Sequence, residues 1–353
     1  MGYMLLNEAL EVSGIVEQYE SCIWTDRFTV AGDFEIYLAF TVKAFQAFKK
    51  DYYVWSSESD HLMIIEDLEV ESDEEDGTYM KVSGRSLESI LDRRIVWGER
   101  TLSGNLQTAI KSLINTEIIA ATDTTRRIPG FIFKDSTDPA VTSISVPAIQ
   151  YLGENLYKII SDLCVLYGIG WKVTLNDANQ MVFQLYAGKN RSHEQVINPR
   201  VIFSPDFDNL GSSKYLNSRR PFRSVGLVGG EGEGTTKRFE TVFRGSSSAS
   251  GLARRELYVN SSAKSKDITA TEYTNALRTE GSKALLDKAT ISAFDGEIIN
   301  SKSFVYGKDY FLGDIVSLED DYILDANSTA RVVEFIRSDD AGGKKYYPTL
   351  QSV

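Results

Sequence analysis

The side chains best suited to catalysis are few. The 353-residue sequence holds two histidines, His61 and His193, and two cysteines, Cys22 and Cys164. Glu194 follows His193, but the second histidine of a zinc-protease helix is missing and no Cys-x-x-Cys pair occurs. No serine lies in a Gly-x-Ser-x-Gly elbow. Cys164 falls within a helical pattern and reads as a core residue rather than a nucleophile. No catalytic residue, metal site or cofactor is therefore expected. Carboxylates are abundant: 50 Asp and Glu against 38 Lys and Arg give a net charge of −12. Abundance does not pair two acids for acid–base work. The charge excludes a generally basic nucleic-acid-binding surface and makes anionic membranes poor partners. Eight of the eleven residues from Glu66 to Asp76 are acidic. A calcium loop would need alternating oxygen ligands and a glutamate six residues beyond the turn glycine, which are absent, so a solvated hairpin tip at 71–77 is the expectation.

Length argues for two to three domains, since a domain averages about 150 residues. No apolar run reaches the ~18 residues of a membrane span. The N-terminus lacks a signal-peptide pattern, and two cysteines make no disulfide framework, as in a protein made in a reducing compartment.

The first 98 residues read as β. Glu11–Tyr19 is a loose strand, Phe34, Ile36, Leu38 and Phe40 alternate at period two, and 61–70 with 78–82 form a hairpin. Ser86 stands where it would cap a short helix carrying Leu87, Ile90 and Leu91. Residues 99–200 read as α+β. One helix carries Leu106, Ile110 and Leu113; a second carries Leu156, Ile160 and Leu163 and ends at Gly168 in a left-handed cap, before strands at 171–175 and 181–186. Residues 201–353 return to β, with an insertion at about 245–292 whose helix, 269–289, is weakened by Gly281. The last strands are placed at 304–306, 314–318, 330–336 and 345–350. Gly229-Gly230-Glu231-Gly232-Glu233-Gly234 looks like a phosphate cradle, yet the next segment is β-like and two glutamates would repel phosphate.

Trp24-Thr25-Asp26-Arg27-Phe28, Gly32-Asp33-Phe34-Glu35-Ile36 and Gly84-Arg85-Ser86-Leu87 with Arg93-Arg94 resemble the opening of a family of siphophage tail-hub, or tail-associated, proteins. Gly229-Gly230-Glu231-Gly232 with Arg238, and Gly313-Asp314-Ile315-Val316, are similar to later parts of that family. The resemblance runs through nearly the whole chain in order. It implies a fold like the baseplate hub of contractile phages: a β-dominated α+β protein with two small antiparallel β-barrels separated by an α+β domain, and a helical insertion in the second barrel. It further implies a homotrimeric ring at the virion tail tip or baseplate, made in the bacterial host cytoplasm, that adapts sixfold to threefold symmetry. The implied partners are a hexameric distal tail or tail tube protein, a tape measure protein, and a tip, fibre or receptor-binding protein. DNA would be passing cargo only, and no stable membrane insertion follows. Trp24, Arg27, Phe28, Gly32, Gly84, Arg85, Arg93, Arg94, Arg238, Gly313 and Asp314 become candidate interface or motif residues. The sequence stops at Val353 after its last expected strand, so a hydrolase or receptor-binding extension is not expected. The surplus carboxylates would either line a channel that must not hold DNA or keep unassembled subunits apart.

Two rival readings remain. A tail-associated glycan hydrolase would need two acids about 5–10 Å apart in a cleft. A carbohydrate-binding β module would draw on the 18 tyrosines and 17 phenylalanines, which barrel cores and a subunit interface also require.

Overall fold

The computed structural model describes residues 3–73, 77–245, 249–266, 268–298, 303–319 and 328–352. The first part is built from β1 (Tyr3–Leu6), β2 (Val12–Val16), β3 (Ser21–Arg27), β4 (Asp33–Ala39), the short helix α1 (Val42–Ala47), β5 (Tyr53–Trp55), β6 (Met63–Asp73) and β7 (Gly77–Ser86). The period-two residues Phe34, Ile36 and Leu38 of β4 are buried with Trp24, Met63 and Val82 in one apolar core. Such alternation keeps one strand face dry. Hairpin β6–β7 forms as expected, with a bulge between Ile65 and Asp67 opposite Gly84. A Cβ on Gly84 would meet the Ile64 carbonyl oxygen at 1.8 Å, so only glycine lets the bulged strand approach. The acidic tip, 74–76, lies outside the described residues.

Leu87–Arg93 winds as a 3-10 helix. Ser86 does not cap it with its side chain; its Oγ instead accepts from the Gly32 N–H at 2.8 Å. The tight packing between strands claims the hydroxyl before the helix end can. The middle part follows with β8 (Glu99–Asn105), α2 (Leu106–Ile114), β9 (Phe131–Lys134), α3 (Pro139–Thr142), β10 (Ser145–Leu152), α4 (Leu156–Tyr167), β11 (Gly170–Leu175) and β12 (Met181–Tyr186). The stripes of α2 and α4 meet Trp171 and Phe183 in a second core. Gly168 ends α4 at φ 66°, ψ 29°, the left-handed cap read from the sequence.

The last part holds β13 (Ile202–Phe203), β14 (Leu210–Ser218), β15 (Val225–Gly229), β16 (Phe239–Phe243), β17 (Glu256–Asn260), α5 (Ala270–Asp287), β18 (Ile291–Ile298), β19 (Ile315–Leu318), β20 (Ser328–Asp340) and β21 (Gly343–Ser352). Thr269 and Glu272 close a reciprocal capping box at the start of α5. This helix packs on the separate sheet β16-β15-β17 with its own core of Val228, Val242, Ala276 and Leu277. The helix therefore has strand partners that begin at Val225, upstream of the expected insertion at 245. Residues 304–306 were expected as a strand, but only an isolated bridge joins Tyr306 to Tyr310. Their aromatic rings are drawn into the core around Phe203 and Phe335 instead.

Long-range pairing decides the architecture. Seven residues of β20, Glu334 to Asp340, pair antiparallel with Arg27 to Ser21 of β3. One 13-stranded sheet thus runs β14-β18-β21-β20-β3-β4-β7-β6-β5-β1-β2, with β13 and β19 branching from β20. The protein is β-dominated mixed α+β, and none of its sheets closes into a barrel among the described residues. The reason lies in how β3 uses its edges: it gives one to β4 and the other to β20, so the first strands join the last ones rather than their own neighbour β2. No helix among the described residues is long and apolar enough to cross a membrane.

Candidate functional site

The β3–β20 seam places the first, middle and last parts around one point. Phe28, just beyond β3, is fully buried there. A Cβ on Gly170 of β11 or on Gly313 would come within 2.3 Å of its ring, so the aromatic seats between two glycines from different parts. The Arg331 guanidinium lies 5.5 Å over that ring, and its Nη1 donates to the Gly313 carbonyl at 2.9 Å. Backbone bonds complete the seat, with Phe28 N–H donating to Val333 and Trp171 N–H donating to Phe28. Gly313 has φ +87°, a region that glycine enters without strain.

Charged residues flank the aromatic seat in pairs. Arg27 donates to Glu334 and to Asp33, each at 2.6 Å, joining β3 to β20 and β4. Asp314 accepts from Arg191 Nε at 2.7 Å, from the Lys189 N–H at 2.6 Å and from the Phe311 N–H at 3.1 Å. It straps the segment after β12 to the last part. Asp26 is buried and accepts from Arg337 at 2.8 Å, from Ser59 at 2.8 Å and from the Trp24 indole at 3.1 Å. Beside it, His61 Nδ1 lies 2.9 Å from Glu88 Oε1, which also accepts from the Val173 N–H of β11.

Electrostatics fix the protonation of this cluster. Burial alone would push the His61 imidazole down, but the Glu88 and Asp26 carboxylates outweigh it and raise it to about 9. Burial would raise Asp26 and Glu88, yet Arg337 and His61 respectively hold them below the usual carboxylate range. A histidine kept charged at neutral pH is no general base, and neither buried carboxylate is a general acid. Burial also pushes the Cys22 thiol up to about 12 and raises that of Cys164, so both thiols stay protonated. Among the described residues no group of three or more His, Cys, Asp or Glu is placed to hold a metal ion.

The residues chosen from sequence divide into three groups. Trp24, Arg27, Phe28, Gly313 and Asp314 meet at the joint. Gly32, Gly84 and Arg85 form a neighbouring seam, where Gly32 bonds Ser86 and Arg85 forks onto Glu66 at 2.8 Å and reaches Asp92 at 3.1 Å. Arg93, Arg94 and Arg238 lie apart. Arg93 pairs with Asp51, Arg94 donates to the Arg126 carbonyl, and Arg238 donates to Thr274 beneath α5. Sequence reading missed Asp26, His61, Glu88, Arg331 and Arg337. For Asp26 the signal was available: it shares the inward face of β3 with Cys22 and Trp24, where a carboxylate needs a buried partner. The partner, 311 residues away, carries no signal of its own.

The same overall fold occurs in known tail proteins. The 43 kDa tail protein of prophage MuSo2 from Shewanella oneidensis aligns over 99% of this chain and 98% of its own, with a TM-score of 0.61 at 14% identity. A tail protein from Neisseria meningitidis MC58 gives 99%, 97%, 0.60 and 13% in the same terms. Prophage tail protein gp18 from Listeria monocytogenes gives 99%, 94%, 0.56 and 13%. At these identities the likeness is one of fold. A search of curated proteins returns no match. Sequence similarity over residues 3–350 goes to the group described as Siphovirus ReqiPepy6 Gp37-like protein, in agreement with the resemblance carried by the Trp24–Phe28, Gly84–Leu87 and Gly313–Val316 segments. The chain belongs to the Siphovirus ReqiPepy6 Gp37-like family.

Proposed function

We propose that this protein is the structural hub of a phage or prophage-derived tail tip. Three copies form a ring that closes the tail tube, adapts its sixfold symmetry to threefold, and anchors tip, fibre or receptor-binding proteins. The hexameric tube or distal tail protein lies above it, and the tape measure protein ends within it. The protein performs no catalysis, and assembly takes place in the host cytoplasm. Its first and last parts act as two barrel-like modules, each with its own apolar core, on either side of the α+β part.

One observation carries this reading: the sheet that runs unbroken from the first part to the last, pinned by the buried joint at Phe28 and Asp26. A subunit that must transmit force and hold register needs its modules fused into one body, and here the motif residues do that fusing. The net charge of −12 fits a channel wall that lets DNA pass without holding it. Imaging of the purified protein or its parent particle by electron microscopy tests the proposal. A threefold ring is the expected result; a monomer that binds or cleaves glycans would overturn it.

A further inference from the structure

The sheet β16-β15-β17 is covered by α5 on one side only. Val228 and Val242 pack in the core beneath that helix, so strand alternation turns Leu227, Phe239, Phe243 and Tyr258 to the opposite face. Register makes these four neighbours. Leu227 pairs with Tyr258 on one side and with Thr241 on the other, which places Phe239 and Phe243 diagonally beside it. Each is between 42% and 53% exposed. Together they present on the order of 300–400 Å² of contiguous apolar surface, a size that marks an interaction site. Arginines gather at the end of this face where β15 begins. The Arg244 N–H donates to Ser224 and the Ser224 N–H to Arg255; Arg255 Nη1 donates to the Arg219 carbonyl and Arg223 Nη1 to that of Arg220. None of these five arginines has a carboxylate partner among the described residues, whereas the adjacent Arg254 pairs with Glu256 at 2.6 Å. From 219 to 260 the sequence holds eight Lys and Arg against four Asp and Glu, in a chain of net charge −12. An aromatic centre with an arginine rim is the make-up of a protein-binding surface, and the partner it fits is acidic.

A complementary face lies on the first part of the same chain. The outer side of β4, β7 and β6 carries Glu35, Asp67, Glu69 and Glu71 around the stacked rings of Tyr37 and Tyr79, 5.0 Å apart. Lys81 pairs with Glu69, while Glu35, Asp67 and Glu71 are exposed and have no ion pair among the described residues. Within one chain the five arginines reach none of these carboxylates, yet every copy carries both faces. We propose that the arginine-rimmed apolar face of β16-β15-β17 in one copy docks on the carboxylate face of β4-β7-β6 in the next. Such a head-to-tail contact uses a different patch on each copy and closes into a ring when the rotation permits. Arginine–carboxylate pairs across it set the register, and burial of Phe239, Phe243 and Tyr258 supplies most of the affinity. This contact presupposes the ring reading and names the surfaces that would build the ring.

The molar mass of the full-length protein in solution, read by light scattering after gel filtration at about 100 μM, tests the contact. Arg220→Glu with Arg255→Glu, and separately Asp67→Lys with Glu71→Lys, should each weaken self-association at least about ten-fold. Both are surface changes, so each variant should keep a cooperative melting transition. A chain carrying all four substitutions has both faces inverted and should recover the parent's mass. Phe239→Ser with Phe243→Ser should dissociate the assembly with no change in charge. If the parent is a trimer and both half-inverted chains remain trimers, or the quadruple variant associates no better than they do, the contact is overturned and the ring reading stands. A parent that stays monomeric overturns the ring reading, and this contact with it.

Discussion

A Cβ on Gly313 would stand 2.3 Å from Phe28 Cε2, closer than two non-bonded carbons can rest. The bare backbone of the last part is therefore the surface on which the aromatic ring of the first part seats. Gly313→Ala meets both this overlap and the strain of φ +87°. It should cost at least about 2 kcal/mol, and Phe28→Ala about 3–5 kcal/mol. Urea unfolding midpoints measure both; a Gly313→Ala protein as stable as the parent would remove Phe28 from its seat.

The buried pair Asp26–Arg337 makes a different prediction. Asp26→Ala leaves a cation buried without its carboxylate and should cost about 3–5 kcal/mol. Adding Arg337→Met to that variant should recover part of the loss, because the orphaned charge goes with it. If the double variant is less stable than Asp26→Ala by a further full increment, the two side chains act independently.

Stability should depend on pH through His61. Its imidazole is raised from 6.5 to about 9, so protonation favours the folded state. That contribution is complete below about pH 6.5 and is lost as pH rises through 9, a fall of about 3 kcal/mol at most. Asp26 and Glu88 are shifted down, so their contribution holds above about pH 4.5 and disappears as pH falls through their lowered values. Melting temperatures from pH 4 to 10 should therefore peak between about 4.5 and 6.5. His61→Gln should lower that peak and flatten the alkaline slope; an unchanged slope would place the titration elsewhere.

Gly281 separates propensity from packing. In an exposed helix, Gly→Ala gains about 1 kcal/mol. Here a Cβ would lie 2.5 Å from Val228 Cγ2 and 2.7 Å from Val242 Cγ2, because α5 rests its backbone on β15 and β16. Gly281→Ala should thus lose about 1–3 kcal/mol, read as an earlier melting transition.

The residues whose order along the chain carries local physics were legible at once. Alternation in Phe34, Ile36 and Leu38 marked β4, the stripes of α2 and α4 marked their buried faces, and Gly168 marked a left-handed helix end. The shortage of nucleophiles and the acidity were also plain, and the Trp24–Phe28 segment pointed to the family. What the sequence could not determine is anything that depends on two distant segments meeting. Ser86 was free to cap a helix until Gly32 arrived beside it, and residues 304–306 were free to be a strand until Phe203 and Phe335 drew in their rings. The pairing of β3 with β20, and with it Asp26 with Arg337, is fixed by register across some 300 residues. Local propensity and period set which face of a strand is apolar; only tertiary packing decides which edge it shares, and that choice made the joint.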